Sequence, residues 1–459
     1  MSPPELEADA EQRVQAEDLR DAWTVLDPQD RVEGFRALSS GEAEQFFLEL
    51  SALDRAHLVL GLPTIEQRWW IRALAPDDVA DVVQAAPPDE AAKLMGLLDE
   101  ATRREVNALL AYAEDEAGGL MNPRYARLRP DMTVDEAISY LRRQTRERVE
   151  SIYYAYVLDD HQVLVGVVSF RQLMMARREA RVREMMITEL VTVHDEMDQE
   201  AVSRVFAEAD LLSVPVVDAQ GRMKGIVTAD DIVDVVREEA TEDIQKIGGS
   251  AALEAPYLQV GFVDMMKKRA GWLALLFVGE MFTASAMARF EDEIKSATVL
   301  ALFIPLIISS GGNCGSQAST LVIRAIALGE VRLRDWWRVF LREATMGLAL
   351  GTVLGALGFL RIWIWQHVFH HPKSASGGEF ADQGYYGEHY LLIGAAVAAS
   401  VVGVALWGTL AGALLPFALK RLHLDPATAS APLVATLVDV TGLVIFFSTA
   451  MLILSGTLL

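Results

Sequence analysis

Long apolar stretches dominate the C-terminal half of this 459-residue chain and leave it few ways to fold. A helix crossing a bilayer core needs about 20 apolar residues. Five stretches qualify, at roughly 270–290, 298–328, 340–369, 389–419 and 432–456. The second and third are longer than a perpendicular helix requires, which predicts tilt or a break. Inside the fifth, in the run Pro432-Leu-Val-Ala-Thr-Leu-Val-Asp439-Val-Thr-Gly442, stands one aspartate. A carboxylate at membrane depth costs at least about 2.5 kcal/mol and is tolerated where it faces water, a partner or an ion. Asp439 therefore predicts a cation path, against the plainer uses of capping a helix or staying protonated. Glu280, in the first stretch, is a second acid at depth, as well suited to an interhelical hydrogen bond as to conduction.

Charge divides the chain. Residues 267–459 hold 14 basic and 12 acidic side chains, whereas residues 1–266 hold 27 and 52. An acidic soluble region disfavours nucleic acid and favours cations, and its self-repulsion makes compaction depend on counterions. With a single cysteine, Cys314, the chain forms no internal disulfide and needs no oxidising compartment. The N-terminus is polar and acidic, so no secretory signal is expected.

Basic residues alternate between the connections of the apolar half. Lys267, Lys268 and Arg269 precede the first stretch, and Glu291, Asp292 and Glu293 follow it. Arg324, Arg332, Arg334, Arg338 and Arg342 lie around the second-to-third connection, Lys420 and Arg421 between the fourth and fifth, and one lysine in the third-to-fourth connection. This pattern places the acidic half in the cytoplasm and the C-terminus outside.

The second stretch is unusual: Phe303-Ile-Pro305-Leu-Ile-Ile-Ser-Ser-Gly-Gly-Asn313-Cys-Gly-Ser-Gln317-Ala-Ser-Thr320. Irregular, polar backbone is acceptable at membrane depth only where protein or water covers it. Small residues also permit close helix packing, so a packing face is the competing reading. Asn313 and Gln317 are four apart and share a helix face that suits a pore.

In the soluble half, residues 38–111 are punctuated by Pro63, Pro76 and Pro87-Pro88, each followed within three residues by Thr, Asp or Glu. Prolines so placed start helices, and units of about a dozen residues predict a small superhelical stack. Residues 124–240 contain a repeat: Val157-Leu-Asp159 recurs as Val216-Val-Asp218, and Gly166-Val-Val-Ser169 as Gly225-Ile-Val-Thr228. Each copy reads as strand, turn, strand and a helix starting at Ser or Thr. Asp231, Asp234, Glu238, Glu239 and Glu242 then recur at helical spacing along a connector. A like-charged stripe of this kind is destabilising by a few tenths of a kcal/mol per pair.

Pro305 through Gln317, Asp425-Pro426 and Pro432 through Gly442 resemble the MgtE family of magnesium channels, and the likeness covers nearly the whole chain. The 59-residue repeat resembles a pair of CBS domains. The resemblance implies a multidomain fold. An all-α superhelical N domain spans 1–123, an α/β pair of CBS domains 124–230, a plug helix and connector 231–266, and a pore domain of five transmembrane helices 267–459. It implies a homodimer in a bacterial plasma (inner) membrane, with Mg2+ as cargo and Mn2+ as a second candidate ion. The pore would lie at the dimer axis, lined by Pro305, Asn313 and Gln317, with Asp439 as the selectivity acid and Asp425 near the inner mouth. Ala431 stands where family members can have asparagine, which removes a side-chain ligand at that mouth. The implied Mg2+ sensor residues are Asp77, Asp81, Gly119 and Ala207 through their carbonyls or carboxylates, then Asp198, Glu200, Asp210, Asp231, Asp234, Glu239, Glu242 and Asp243. Arg237 departs from a position that can be acidic, and Glu42 and Glu44 both lie near the first N-domain position. Tyr154 and Arg171 match nucleotide contacts. Gln172 and Leu211 replace an acid and an aromatic, so ATP is expected to bind poorly or not at all.

Other classes fare worse. A CBS-regulated enzyme would need a Ser-His-Asp set, a metal-spaced histidine pair or a phosphate loop with lysine, and none is legible. His367, His370 and His371 lie at the expected outer face, where histidines seldom act. A proton-coupled divalent transporter is the other alternative.

Overall fold

The computed structural model describes residues 15–144, 153–253, 255, 257–258, 260–368, 386 and 388–458. It divides into two compact units, Met1–Glu239 and Ala240–Leu459.

The first unit begins with short helices of strict period. After Ala16–Ala22, the helices Pro28–Ala37, Ser40–Glu49, Ala52–Gly61, Thr64–Ala73, Pro76–Ala85, Pro88–Leu97 and Glu100–Leu109 start every twelve residues. The linker is built the same way in turn after turn. Leu38, Leu50, Leu62, Leu74 and Leu98 end their helices in extended backbone. The next residue, Ser51 or Asp99, accepts free amides of the following helix, as Asp27 does ahead of Pro28–Ala37. Helices pack on the next but one. Arg31 to Asp54 (3.0 Å) and Arg55 to Asp78 (2.5 Å) bridge such pairs across 23 residues each. Phe35, Phe46, Phe47 and Trp70 form the centre.

Two three-stranded sheets follow, and they obey the 59-residue offset down to register. Tyr154 pairs with Ser169 in the first antiparallel hairpin, and Ser213 with Thr228 in the second. Strands Arg127–Leu128 and Val193–His194 add in parallel. Asp159 accepts from His161 N and Val163 N; Asp218 accepts from Gln220 N and Arg222 N, closing the equivalent turn. The two copies meet where buried Tyr156 and Ser213 share a 2.8 Å hydrogen bond.

The helix Ala229–Ile247 runs through the boundary between the units. In the second unit, five helices among the described residues are long and apolar enough to span a membrane: Phe262–Arg289, Thr298–Ala327, Leu333–Val368, Tyr390–Arg421 and Ala431–Leu454. The second span is broken as its length predicts. A short turn, Thr298–Ala301, precedes the main helix Ile304–Ala327, which restarts with Pro305 in its first turn. The third, by contrast, runs unbroken through Trp336–Val368.

Candidate functional site

The second span carries two faces with different jobs. Gly311, Gly312, Cys314, Gly315, Ala318 and Ser319 are buried. They let the fourth span approach to backbone contact: a Cβ on Gly408 or Gly412 would overlap the carbonyl of Gly311 or Gly315. Ser316 Oγ and Ser319 Oγ donate to Ala431 O (3.1 Å) and Ala429 O (2.7 Å), fastening the helix to the entry of the fifth span. On the opposite side Pro305, Ser309, Asn313 and Gln317, spaced four apart, together with Thr320, are exposed within the single chain. Asn313 Nδ2 reaches Ser309 Oγ at 3.4 Å. The packing face and the polar face, competing readings of one motif, thus coexist on one helix.

Asp439 sits on Ala431–Leu454, half-exposed, with its Oδ1 3.8 Å from where a Cβ on Gly312 would lie. The carboxylate thus lies beside the second span at Gly312. Glu280 is exposed on the first span. Its neighbour Gly279 brings the first and fifth spans together, since a Cβ there would lie 2.8 Å from Thr436 Cγ2. At the other end of the fifth span's approach, Asp425 Oδ1 accepts from Ala427 N (2.8 Å) and Oδ2 from Lys246 Nζ (2.7 Å).

In the first unit the candidate acids are distributed over several local structures. Asp77 and Asp81 lie one turn apart on Pro76–Ala85 but meet different neighbours. Buried Asp77 accepts from Asn122 Nδ2 at 3.1 Å. Asp81 keeps part of its surface open to solvent although protein atoms crowd round its carboxyl group. Burial first, then the carboxylates of Asp78, Asp231 and Glu114, push it from 3.8 up to about 7, against Arg55. Asp231 is likewise raised to about 7, chiefly by burial, although Thr228 donates to it from both Oγ1 (2.5 Å) and N (3.1 Å). Asp81 thus lies among like charges, those of Asp78, Asp231 and Glu114, and Asp231 among those of Asp230 and Asp78.

The remaining candidates have local partners. Asp198 caps Gln199–Ala209, accepting from Glu200 N and Ala201 N, and Asp210 closes the same helix just past Ala207 at φ 51°. Glu200 pairs with Arg204 (3.1 Å) and Asp234 with Arg237 (3.6 Å). Glu239 accepts from Gln199 Nε2 at 2.6 Å. Glu242 pairs with Lys246, and Asp243 lies on the same helix. Gly119 allows a tight approach, because a Cβ would overlap the carbonyl of Ala113. Tyr154 opens its strand half-buried, and Arg171 is exposed on Phe170–Met175. His367 Nδ1 lies 2.7 Å from Trp363 O, whereas His370 and His371 lie outside the described residues. Among the described residues no three His, Cys, Asp or Glu side chains converge tightly enough to hold a metal ion.

Two positions read as missing nucleotide contacts have structural uses. Gln172 forms a capping box with Ser169, the same position in its copy that Asp231 holds beside Thr228. Leu211 packs against the core of the first unit. Asn122 went unnoticed in the sequence. It is fully buried, exchanges backbone hydrogen bonds with Ile226 (2.7 and 2.9 Å) and holds Asp77. Only its place beside Pro123 marks it in the sequence.

A divalent cation transporter family model matches residues 304–449, an MgtE intracellular N-domain model residues 14–115, and a CBS-domain model residues 117–179 and 182–238. The magnesium transporter MgtE of Thermus thermophilus is 40% identical over 97% of this chain and 94% of its own length. The chain belongs to the MgtE family. The MgtE of Bacillus subtilis is 31% identical over 82% of this chain and 77% of its own. A crystal structure of the cytosolic domain of the Mg2+ channel MgtE in complex with ATP shares 40% identity, with a TM-score of 0.45, over 48% of this chain and 90% of that one. As an MgtE member the protein is a membrane transporter of Mg2+ with a soluble N-terminal region, not an enzyme.

Proposed function

We propose that the protein is a Mg2+-selective, Mg2+-gated channel whose pore forms at the axis of a homodimer in a bacterial plasma membrane. The observation that carries this reading is the open polar face of the second span, Ser309, Asn313, Gln317 and Thr320, with Asp439 beside it. Hydrocarbon would leave the remaining donors and acceptors of the Asn313 and Gln317 amides unsatisfied. A water-filled path between two copies satisfies them. Mg2+ sheds its hydration shell reluctantly. In this pore two Asp439 carboxylates, one from each copy, accept hydrogen bonds from the water around the ion, and the amides of Asn313 and Gln317 extend the polar lining. Attraction through a water layer selects a divalent ion and still releases it. Asp425 stands at the inner mouth, with the N-terminal half in the cytoplasm and the C-terminus outside.

Regulation follows from the acids of the soluble half. A cation between Asp81 and Asp231 relieves their repulsion and favours the compact arrangement. Ions at Asp198, Glu200, Asp210 and along Asp234, Glu239, Glu242 and Asp243 act in the same sense. An ion that binds the closed state better shifts the population toward it. With Gln172 and Leu211 committed to a cap and to the core, ATP binds poorly or not at all beside Tyr154 and Arg171.

Full-length protein in liposomes tests the reading. Mg2+ uptake is expected to be equal with and without a proton gradient, and strict dependence on the gradient would exclude a channel. Asp439→Ala is expected to reduce Mg2+ uptake by at least about tenfold, since the site then lacks its charge. Wild-type uptake by that variant removes the pore from Asp439.

A further inference from the structure

The end of the helix Ala229–Ile247 is fixed within the second unit by three neighbouring contacts. Lys246 Nζ donates to Asp425 Oδ2 at 2.7 Å and pairs with Glu242 one turn earlier. Ile247 packs with Ile323, Ala427 and Ala429. Gly249 follows at φ 75°, where a Cβ would lie 2.8 Å from the Trp272 ring nitrogen and 3.1 Å from Pro432 Cγ. The ion pair joins residues 179 apart, one on the helix and one on the fourth-to-fifth connection. Burial works against the ammonium, but the hydrogen bonds and charges of Asp425 and Glu242 outweigh it, so Lys246 stays charged at all physiological pH.

We propose that Lys246 is a positioning residue for Mg2+ transport, whose pair with Asp425 clasps the helix end to the fourth-to-fifth connection and favours the closed mouth. The inference rests on reading this helix as the plug. The three contacts differ in kind. The packing of Ile247 and Gly249 is short-ranged and indifferent to ions. The charge pair is partly open, with 26% of the Lys246 and 38% of the Asp425 side chain exposed. Its strength therefore responds to water and ions at the mouth. Opening separates the ammonium from Asp425 and leaves that carboxylate bare on the ion's route. Closing puts a tethered cation back on it.

Reconstituted full-length protein decides the matter, with Mg2+ flux recorded against Mg2+ on the helix side. Lys246→Gln is expected to raise the flux remaining at closing Mg2+ concentrations by about tenfold, equivalent to 1.4 kcal/mol of closed-state preference. Lys246→Arg keeps the charge and is expected to close as wild type does. A Lys246→Gln channel that closes normally overturns the proposal. So does one with reduced flux that Lys246→Arg fails to rescue, because that marks a purely structural role. If wild-type flux itself ignores Mg2+, the plug reading has failed. Hydrogen exchange then judges the clasp by itself: amides of residues 247–253 should exchange about tenfold faster in Lys246→Gln, and unchanged exchange overturns it.

Discussion

In the first unit carboxylate is set against carboxylate, as with Asp81 and Asp231; in the second, Asp425 is set against an ammonium. The units also pack differently. The first stacks ten-residue helices through leucine linkers, and the second brings spans to backbone contact through glycines. Like charges open to solvent are relieved by a proton or by a cation from solution. Opposite charges carry their own neutralisation and serve to hold parts together. On the function proposed above, the first arrangement suits sensing an ion and the second suits fastening.

The strongest challenge to the packing half of the contrast is Gly412→Val, which drives a side chain into the Gly315 carbonyl. Overpacking of this kind costs about 1–3 kcal/mol or more. A lowered midpoint of thermal unfolding in detergent is expected, with little change if the glycines are mere spacers. Asn122→Ala comes next. Removing the buried amide leaves Asp77 short of a donor, at about 1–3 kcal/mol, read by denaturation of the full-length protein.

Asp81→Asn sharpens the charge half. Between 3.8 and about 7 the folded protein keeps a proton on Asp81 that the unfolded chain has released. Stability from this source is complete below 3.8 and lost as pH rises through 7. Mg2+-free wild type is therefore expected to be less stable at about pH 8 than at about pH 5 through this group, with Mg2+ restoring most at the higher pH. Asp81→Asn flattens both responses. Arg204→Ala should be the mildest change, within about 0.5 kcal/mol, because its pair with Glu200 is exposed. A larger loss of stability would mean that surface pairs fasten the first unit as well.

What the sequence makes legible is whatever repeats. The spans, the dozen-residue units and the 59-residue offset appear in the structure as elements and as strand register. The acids and amides at depth are equally plain, because each breaks an apolar run. Contacts without a period stay hidden: Asn122 finds Asp77 across 45 residues and Lys246 finds Asp425 across 179. Gln172 shows the converse. Compared with a nucleotide pocket it is a lost ligand, whereas local hydrogen bonding makes it a good helix cap.

The glycine contact between the second and fourth spans has a mechanical consequence. With Gly311 and Gly315 against the backbone at Gly408 and Gly412, neither helix can swivel without collision. The pair turns as one leaf, and its amide-bearing edge keeps a constant bearing toward whatever lies opposite. If the proposed pore lies along that edge, widening it requires whole leaves to part.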